Sequence, residues 1–351
     1  MTHAMYLLSH HMPHPGSPGH NTPTENFRRW QKFGCIMPED DSCEGSDRRK
    51  RGDGRNGADN KREGSNDRHN RPHLTNLSYY RSCIMAALLC LLLMGCSGMV
   101  SHRVAAAQQV ADGAGFSLHT VPTRHFVLTV YEHIRDPSQG VHVYIEGDGF
   151  SWVTKTQISQ NPTPKEPMVL RLAALDPAPN VVYIARPCQY TPLSDDPVCD
   201  SKYWAGSRFA PEVVASVNDV LDRYGAKPMT LIGFSGGGAI AALAAAGRPH
   251  VASVITLAGN LDIAAFTQYH HVTPMPASLN PVDVAPRLAQ TPQLHVSGAQ
   301  DVIVPSFIAR QFKARSGNST CITLLEKEGV SHYAGWEAVW PEVLKIPVKC
   351  H

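Results

Sequence analysis

The pentapeptide Gly233-Phe234-Ser235-Gly236-Gly237 is a G-x-S-x-G. A serine hydroxyl is a poor nucleophile at neutral pH. It needs a neighbouring base, and the base needs an orienting carboxylate. Glycine and serine are common, so the pentapeptide alone says little, but its flanks say more. Residues 229–232 are an apolar, strand-like run, and an alanine-rich stretch of high helix propensity follows to residue 246. Strand, sharp turn and helix, with serine at the apex, is the order that pushes a hydroxyl out of a sheet. Small residues two before and two after the serine let strand and helix approach, and Gly233 and Gly237 fill those places. The rival reading is a glycine-rich turn cradling phosphate at a helix N-terminus. No G-K-[ST] follows, which excludes a P-loop.

Downstream lie an acid and a base in suitable order. Asp301 stands in Gly298-Ala-Gln-Asp301-Val-Ile-Val-Pro305, just past a strand-like run at residues 293–297. His332 stands in Gly329-Val-Ser-His332-Tyr333, after the last strand-like run at residues 321–325. Asp262 is a second acid position. His295, inside a strand, reads as a packed core histidine. His270 and His271, in an insertion with Pro274 and Pro276, are expected to be solvated.

Those elements have a recognisable rhythm. Strand-like runs at 126–131, 141–145, 181–185, 229–232, 251–258, 293–297 and 321–325 alternate with helix-like runs at 167–175, 211–224, 238–246 and 306–315. Such alternation argues for an α/β fold with a mostly parallel sheet. From about Phe126 to the C-terminus, the chain resembles the α/β-hydrolase family. The resemblance implies a central sheet flanked by helices, with the proline-rich residues 261–288 as a small cap. It implies Ser235 as nucleophile, His332 as general base and Asp301 as its partner. The second oxyanion donor, beside the Gly236 N–H, is expected from Asp148 or Gly149 in Glu146-Gly147-Asp148-Gly149. Many relatives carry His-Gly at that loop. A carboxylate at 148 would oppose an oxyanion, so its side chain is expected to turn away and bond locally. Tyr190, Trp204 and Phe209 frame a loop on the ligand-binding edge and could line a pocket or fill the core.

The first part of the chain is of another kind. Residues 25–71 are crowded with Arg, Asp, Asn, Gly and Lys and are short of apolar residues, so they read as disordered. Residues 84–94 are an unbroken apolar run, too short for a bilayer-spanning helix but suited to the core of a signal peptide, with Arg81 as the basic flank. The run ends in Leu93-Met94-Gly95-Cys96, which resembles the lipobox of bacterial lipoproteins. That resemblance implies cleavage before Cys96, lipid on Cys96, and a protein tethered to a bacterial membrane and facing the periplasm. The expected organisation is residues 1–80 disordered or over-extended, 81–95 signal peptide, 96–118 lipidated cysteine and tether, and 119–351 hydrolase domain. Translation is expected to start near residues 74–81.

Residues 1–95 hold 13 of the 32 Lys/Arg and 10 of the 30 Asp/Glu, leaving 19 against 20 in the remainder. The basic character therefore belongs to the leader, and no basic patch argues for nucleic acid. Beyond Cys96 the cysteines are Cys188, Cys199, Cys321 and Cys350. An even number in an exported chain suggests disulfides. Three pairings are possible; proximity favours Cys188 with Cys199 and Cys321 with Cys350, and reduced, buried cysteines are the alternative. No C-x-x-C spacing suggests zinc, and no metal or cofactor is expected. The expected activity is cleavage of a carboxylic ester, or a thioester or amide, in a small acyl substrate. An acyltransferase on the same three residues and a non-catalytic envelope lipoprotein are the alternatives.

Overall fold

A computed structural model describes residues 76–351, with side chains at Arg81, Ile84 and Met85 and from Gly98 onward. The expectations for residues 1–75 and for the Cys96 side chain lie outside what is described. A first helix, α1 (Asn76–Gly113), runs into the domain. Among the described residues no helix is long and apolar enough to cross a membrane. Residues 100–113, expected as a tether short of core residues, instead end this helix. Ala107 and Ala111, four apart and so on one face, are fully buried.

The remaining elements follow in the order β1 (Ser117–Pro122), β2 (Val127–Ile134), β3 (Val141–Ile145), α2 (Met168–Ala174), β4 (Asn180–Ile184), α3 (Pro211–Asp222), β5 (Met229–Phe234) and α4 (Gly236–Ala245). Then come β6 (Val251–Leu257), α5 (Ile263–His270), β7 (Gln293–Gly298), α6 (Phe307–Arg315), β8 (Ile322–Lys327) and α7 (Trp336–Val343). The strands form one sheet in the order β1-β2-β4-β3-β5-β6-β7-β8. β2 runs antiparallel to both β1 and β4. From β4 through β3, β5, β6 and β7 to β8 every pairing is parallel.

Burial explains the strand sequences. Asn-Val-Val-Tyr-Ile of β4 is buried at every position, as a strand covered on both faces requires. The edge strand β1 is mostly exposed. Helix α3 starts with proline in its first turn and buries Val213, Val217, Val220 and Leu221, one helical stripe. Helix α4, all small or apolar, is buried along its whole length. Because β3, β5, β7 and β8 run the same way, the loops leaving their C-terminal ends share one edge of the sheet. Those loops carry residues 146–149, Ser235, Asp301 and His332. Disulfides join Cys188 to Cys199 and Cys321 to Cys350.

Candidate active site

Ser235 occupies the turn between β5 and α4 with φ 51° and ψ −117°, a left-handed backbone that a side chain adopts only under local compulsion. The compulsion is close packing. A Cβ on Gly233 would lie 2.2 Å from the Gly237 carbonyl oxygen. One on Gly237 would lie 2.1 Å from the carbonyl oxygen of Ile145 in β3. Only glycine at both places lets strand and helix meet this closely, and Ser235 between them is held at positive φ.

The three side chains singled out in the sequence come together. His332 Nε2 lies 3.1 Å from Ser235 Oγ. His332 Nδ1 lies 2.8 Å from Asp301 Oδ2. Asp301 Oδ1 accepts from the backbone N–H groups of Ile303 and Val304, both at 2.8 Å. With the carboxylate accepting throughout, the ring proton sits on Nδ1, and Nε2 is left to accept from the serine hydroxyl. The side chains of His332 and Asp301 are 4% and 0% exposed, so the chain of bonds is shielded from water. Trp336 Nε1 donates to the His332 carbonyl oxygen, and the rings of Phe234 and Tyr333 flank the imidazole at 5.0 and 4.7 Å.

On the other side of Ser235 lies the loop after β3. The Gly147 N–H is already used by Glu146 Oε1 at 2.9 Å, and the Gly147 carbonyl accepts from Gln189 Nε2 at 3.0 Å. The N–H groups of Asp148, Gly149 and Gly236 have no acceptor among the described residues. Gly149, with φ +65°, is pressed against the Pro162 carbonyl. Contrary to the sequence reading, the Asp148 carboxylate neither turns away nor bonds within its own turn: it lies against Gly236 and is held from outside the turn. It bridges Arg208 Nη1 at 2.7 Å and Arg186 Nη1 at 3.4 Å. Neither arginine was singled out for its charge, because each lies far from Asp148 in sequence.

The remaining candidates sort themselves. Asp262 caps α5, accepting from the Ala265 N–H, and takes no part in the site. His295 is fully buried in β7; its Nδ1 bonds Thr256 Oγ1 at 2.8 Å, and burial lowers its pKa to about 3. His271 is exposed, as expected, but His270 is only partly so. It is half-buried, its Nε2 bonds the Ile303 carbonyl at 2.7 Å, and burial lowers its pKa. Tyr190, Trp204 and Phe209 are buried side chains rather than the walls of an open pocket. Residues 261–288 link two loops of the site. His270 joins them to the Asp301 loop, and Ser278 and Leu279 join them to Phe209, next to Arg208.

A family model described as alpha/beta hydrolase fold matches residues 191–281. No curated protein sequence matches the chain. Among solved structures, a bacterial membrane phospholipase A is 17% identical with a TM-score of 0.47, over 76% of this chain and all of that one. Est1E from Butyrivibrio proteoclasticus is 14% identical with a TM-score of 0.46, over 65% of this chain and 96% of that one. A putative lipase from Acinetobacter baumannii AYE is 16% identical with a TM-score of 0.47, over 68% and 92%. The strand order, the parallel run from β4 to β8 and the matched family model together identify the architecture: this chain has the α/β-hydrolase fold.

Proposed function

We propose that the chain is a serine hydrolase that cleaves a carboxylic ester through an acyl-enzyme, held at a bacterial membrane by lipid on Cys96. The observation that carries the enzymatic reading is the unbroken set of bonds from Asp301 through His332 to Ser235. Ser235 Oγ attacks the acyl carbon while His332 Nε2 takes its proton. The carbonyl oxygen becomes an anion, and the free N–H groups of Gly236 and Asp148 stabilise it. Asp301 holds the imidazolium in register. Collapse of the tetrahedral adduct breaks the ester C–O bond, and His332 returns the proton to the departing alkoxide. Water then bonds the acyl carbon as His332 takes its proton; collapse breaks the bond to Ser235 Oγ, His332 returns the proton to that oxygen, and the carboxylic acid leaves. The same chemistry reaches thioesters and amides. With an alcohol in place of water, it becomes acyl transfer.

The test is labelling with a fluorophosphonate, together with hydrolysis of p-nitrophenyl esters. The wild-type chain should take label and release nitrophenol. Ser235→Ala and His332→Ala should do neither. Equal labelling of wild type and Ser235→Ala would refute the assignment. Intact-mass analysis of protein from bacterial membranes tests the anchor: lipid on a chain beginning at Cys96 supports it, and residues 25–70 retained in that chain would rule it out.

A further inference from the structure

The loop that offers the second oxyanion donor carries an acid where negative charge would develop. A Cβ added to Gly236 would lie 2.1 Å from Asp148 Oδ1, so the carboxylate rests against the residue that directly follows Ser235. Left alone there, it would oppose an oxyanion, since like charges in a shielded site repel strongly.

It is not left alone. The side chains of Arg186 and Arg208 are 4% and 11% exposed, and each gives a guanidinium nitrogen to a different oxygen of Asp148. The two arginines are themselves fastened. Arg208 Nε donates to the Ala205 carbonyl at 2.8 Å, and Arg186 Nη2 donates to the Arg208 carbonyl. Arg186 also lies over the Phe209 ring, 5.4 Å from its centroid. Gln189 closes the frame. Its Oε1 accepts from the Arg186 N–H at 3.1 Å while its Nε2 holds the Gly147 carbonyl. On the far side the Asp148 carbonyl accepts from Ser151 Oγ at 2.6 Å. Burial lowers the Arg186 pKa only to about 10, so it stays cationic at neutral pH.

Resting on the hydrolase reading above, we propose that Arg186 and Arg208 are positioning residues for the oxyanion: through the Asp148 side chain they fix the Asp148 N–H beside that of Gly236 and cancel the carboxylate's charge. The frame belongs to the loops after β3 and β4, and none of its hydrogen bonds runs to Asp301 or His332.

The experiment compares wild type, Arg208→Gln, and Arg208→Gln combined with Asp148→Asn, each checked for folding by circular dichroism. The readouts are kcat and KM on p-nitrophenyl butyrate and the rate of fluorophosphonate labelling. Arg208→Gln removes the nearer of the two cations, at 2.7 Å, and leaves the carboxylate only the longer contact to Arg186, at 3.4 Å. It is expected to lower kcat and the labelling rate by roughly tenfold or more, within the range for loss of an oxyanion contact, with KM within about twofold. Adding Asp148→Asn removes the offending charge and is expected to recover most of that loss. A merely structural arginine would give no such rescue. If Arg208→Gln does not fold, Arg208→Lys takes its place. Lysine keeps the charge but lacks the fork that reaches both Ala205 and Asp148, so a partial loss confined to kcat is expected.

An Arg208 variant with wild-type kcat, a change confined to KM, or a double variant no better than Arg208→Gln would overturn the proposal. A wild-type chain that takes no label overturns the hydrolase reading and this inference together. A labelled wild type matched by Arg208→Gln overturns the inference alone.

Discussion

Tyr183 Oη lies 2.7 Å from Glu146 Oε2, joining the end of β4 to the carboxyl that follows β3. The Glu146 carboxyl is fully enclosed, and burial raises its pKa from about 4.5 to about 7, although Tyr183 and the Gly147 N–H pull the other way. A carboxyl raised in the folded state favours folding while protonated. Its penalty grows as pH climbs through the unfolded value and is complete above the folded one. Between pH 4.5 and 7 this one group should therefore cost about 3 kcal/mol of stability. Glu146→Gln mimics the protonated acid and should remove that decline. Urea unfolding of both proteins at pH 5 and pH 8 tests this; parallel pH profiles would refute it.

At the opposite end of β3 an acid behaves in the contrary way. Burial alone would raise the Asp176 pKa, but hydrogen bonds from His142, Tyr144 and the Ala178 N–H outweigh it and hold the carboxyl below its ordinary value. Its contribution is present above the unfolded value near 4 and is lost as pH falls through the lower folded value. Asp176→Ala strands the Tyr144 hydroxyl and should cost about 2 kcal/mol at pH 7. The gap to wild type should narrow at pH 3 when both proteins are unfolded in guanidinium at the two pH values.

The backbone at Ser235 is held at positive φ, at a cost of order 1 kcal/mol or more. Ser235→Gly and Ser235→Ala both lose the hydroxyl, but only glycine is released from this strain. Both variants should lose fluorophosphonate labelling. The glycine variant should be the more stable by about 1 kcal/mol. A more stable alanine variant would contradict the strained turn.

The Cys321–Cys350 bond ties the C-terminus to the start of β8 across a separation of 29 residues. Replacing both cysteines with serine should lower stability by about 2–4 kcal/mol, while the native fold keeps the proposed ester hydrolysis. Calorimetry with and without reductant should give the wild type the larger drop in melting temperature.

How much of this was readable in advance follows from distance along the chain. The turn at Ser235 was legible because its strand, glycines and helix are contiguous. Asp301 and His332 were legible because each follows a strand whose apolar residues mark it. The strand β1 was not, since Ser-Leu-His-Thr-Val-Pro is too polar for a core strand and lies at the sheet edge. Helix α7 was missed because Pro341 interrupts its pattern; the helix is held by burial of Trp336, Trp340 and Val343. The partners of Asp148 were hidden more thoroughly. They lie 38 and 60 residues away, and no local pattern announces an ion pair made by tertiary folding. His270 was misread for the same reason, its acceptor being 33 residues downstream.

The docked end of α1 bears on attitude. Arg103 reaches the Thr163 carbonyl at 3.1 Å and lies over Phe150, just beyond the loop that holds Asp148. With Ala107 and Ala111 sunk into the domain, the polypeptide departs on a set heading, as from a bracket and not a swivel. The proposed lipid on Cys96 would thereby also bear on which way the proposed site at Ser235 faces.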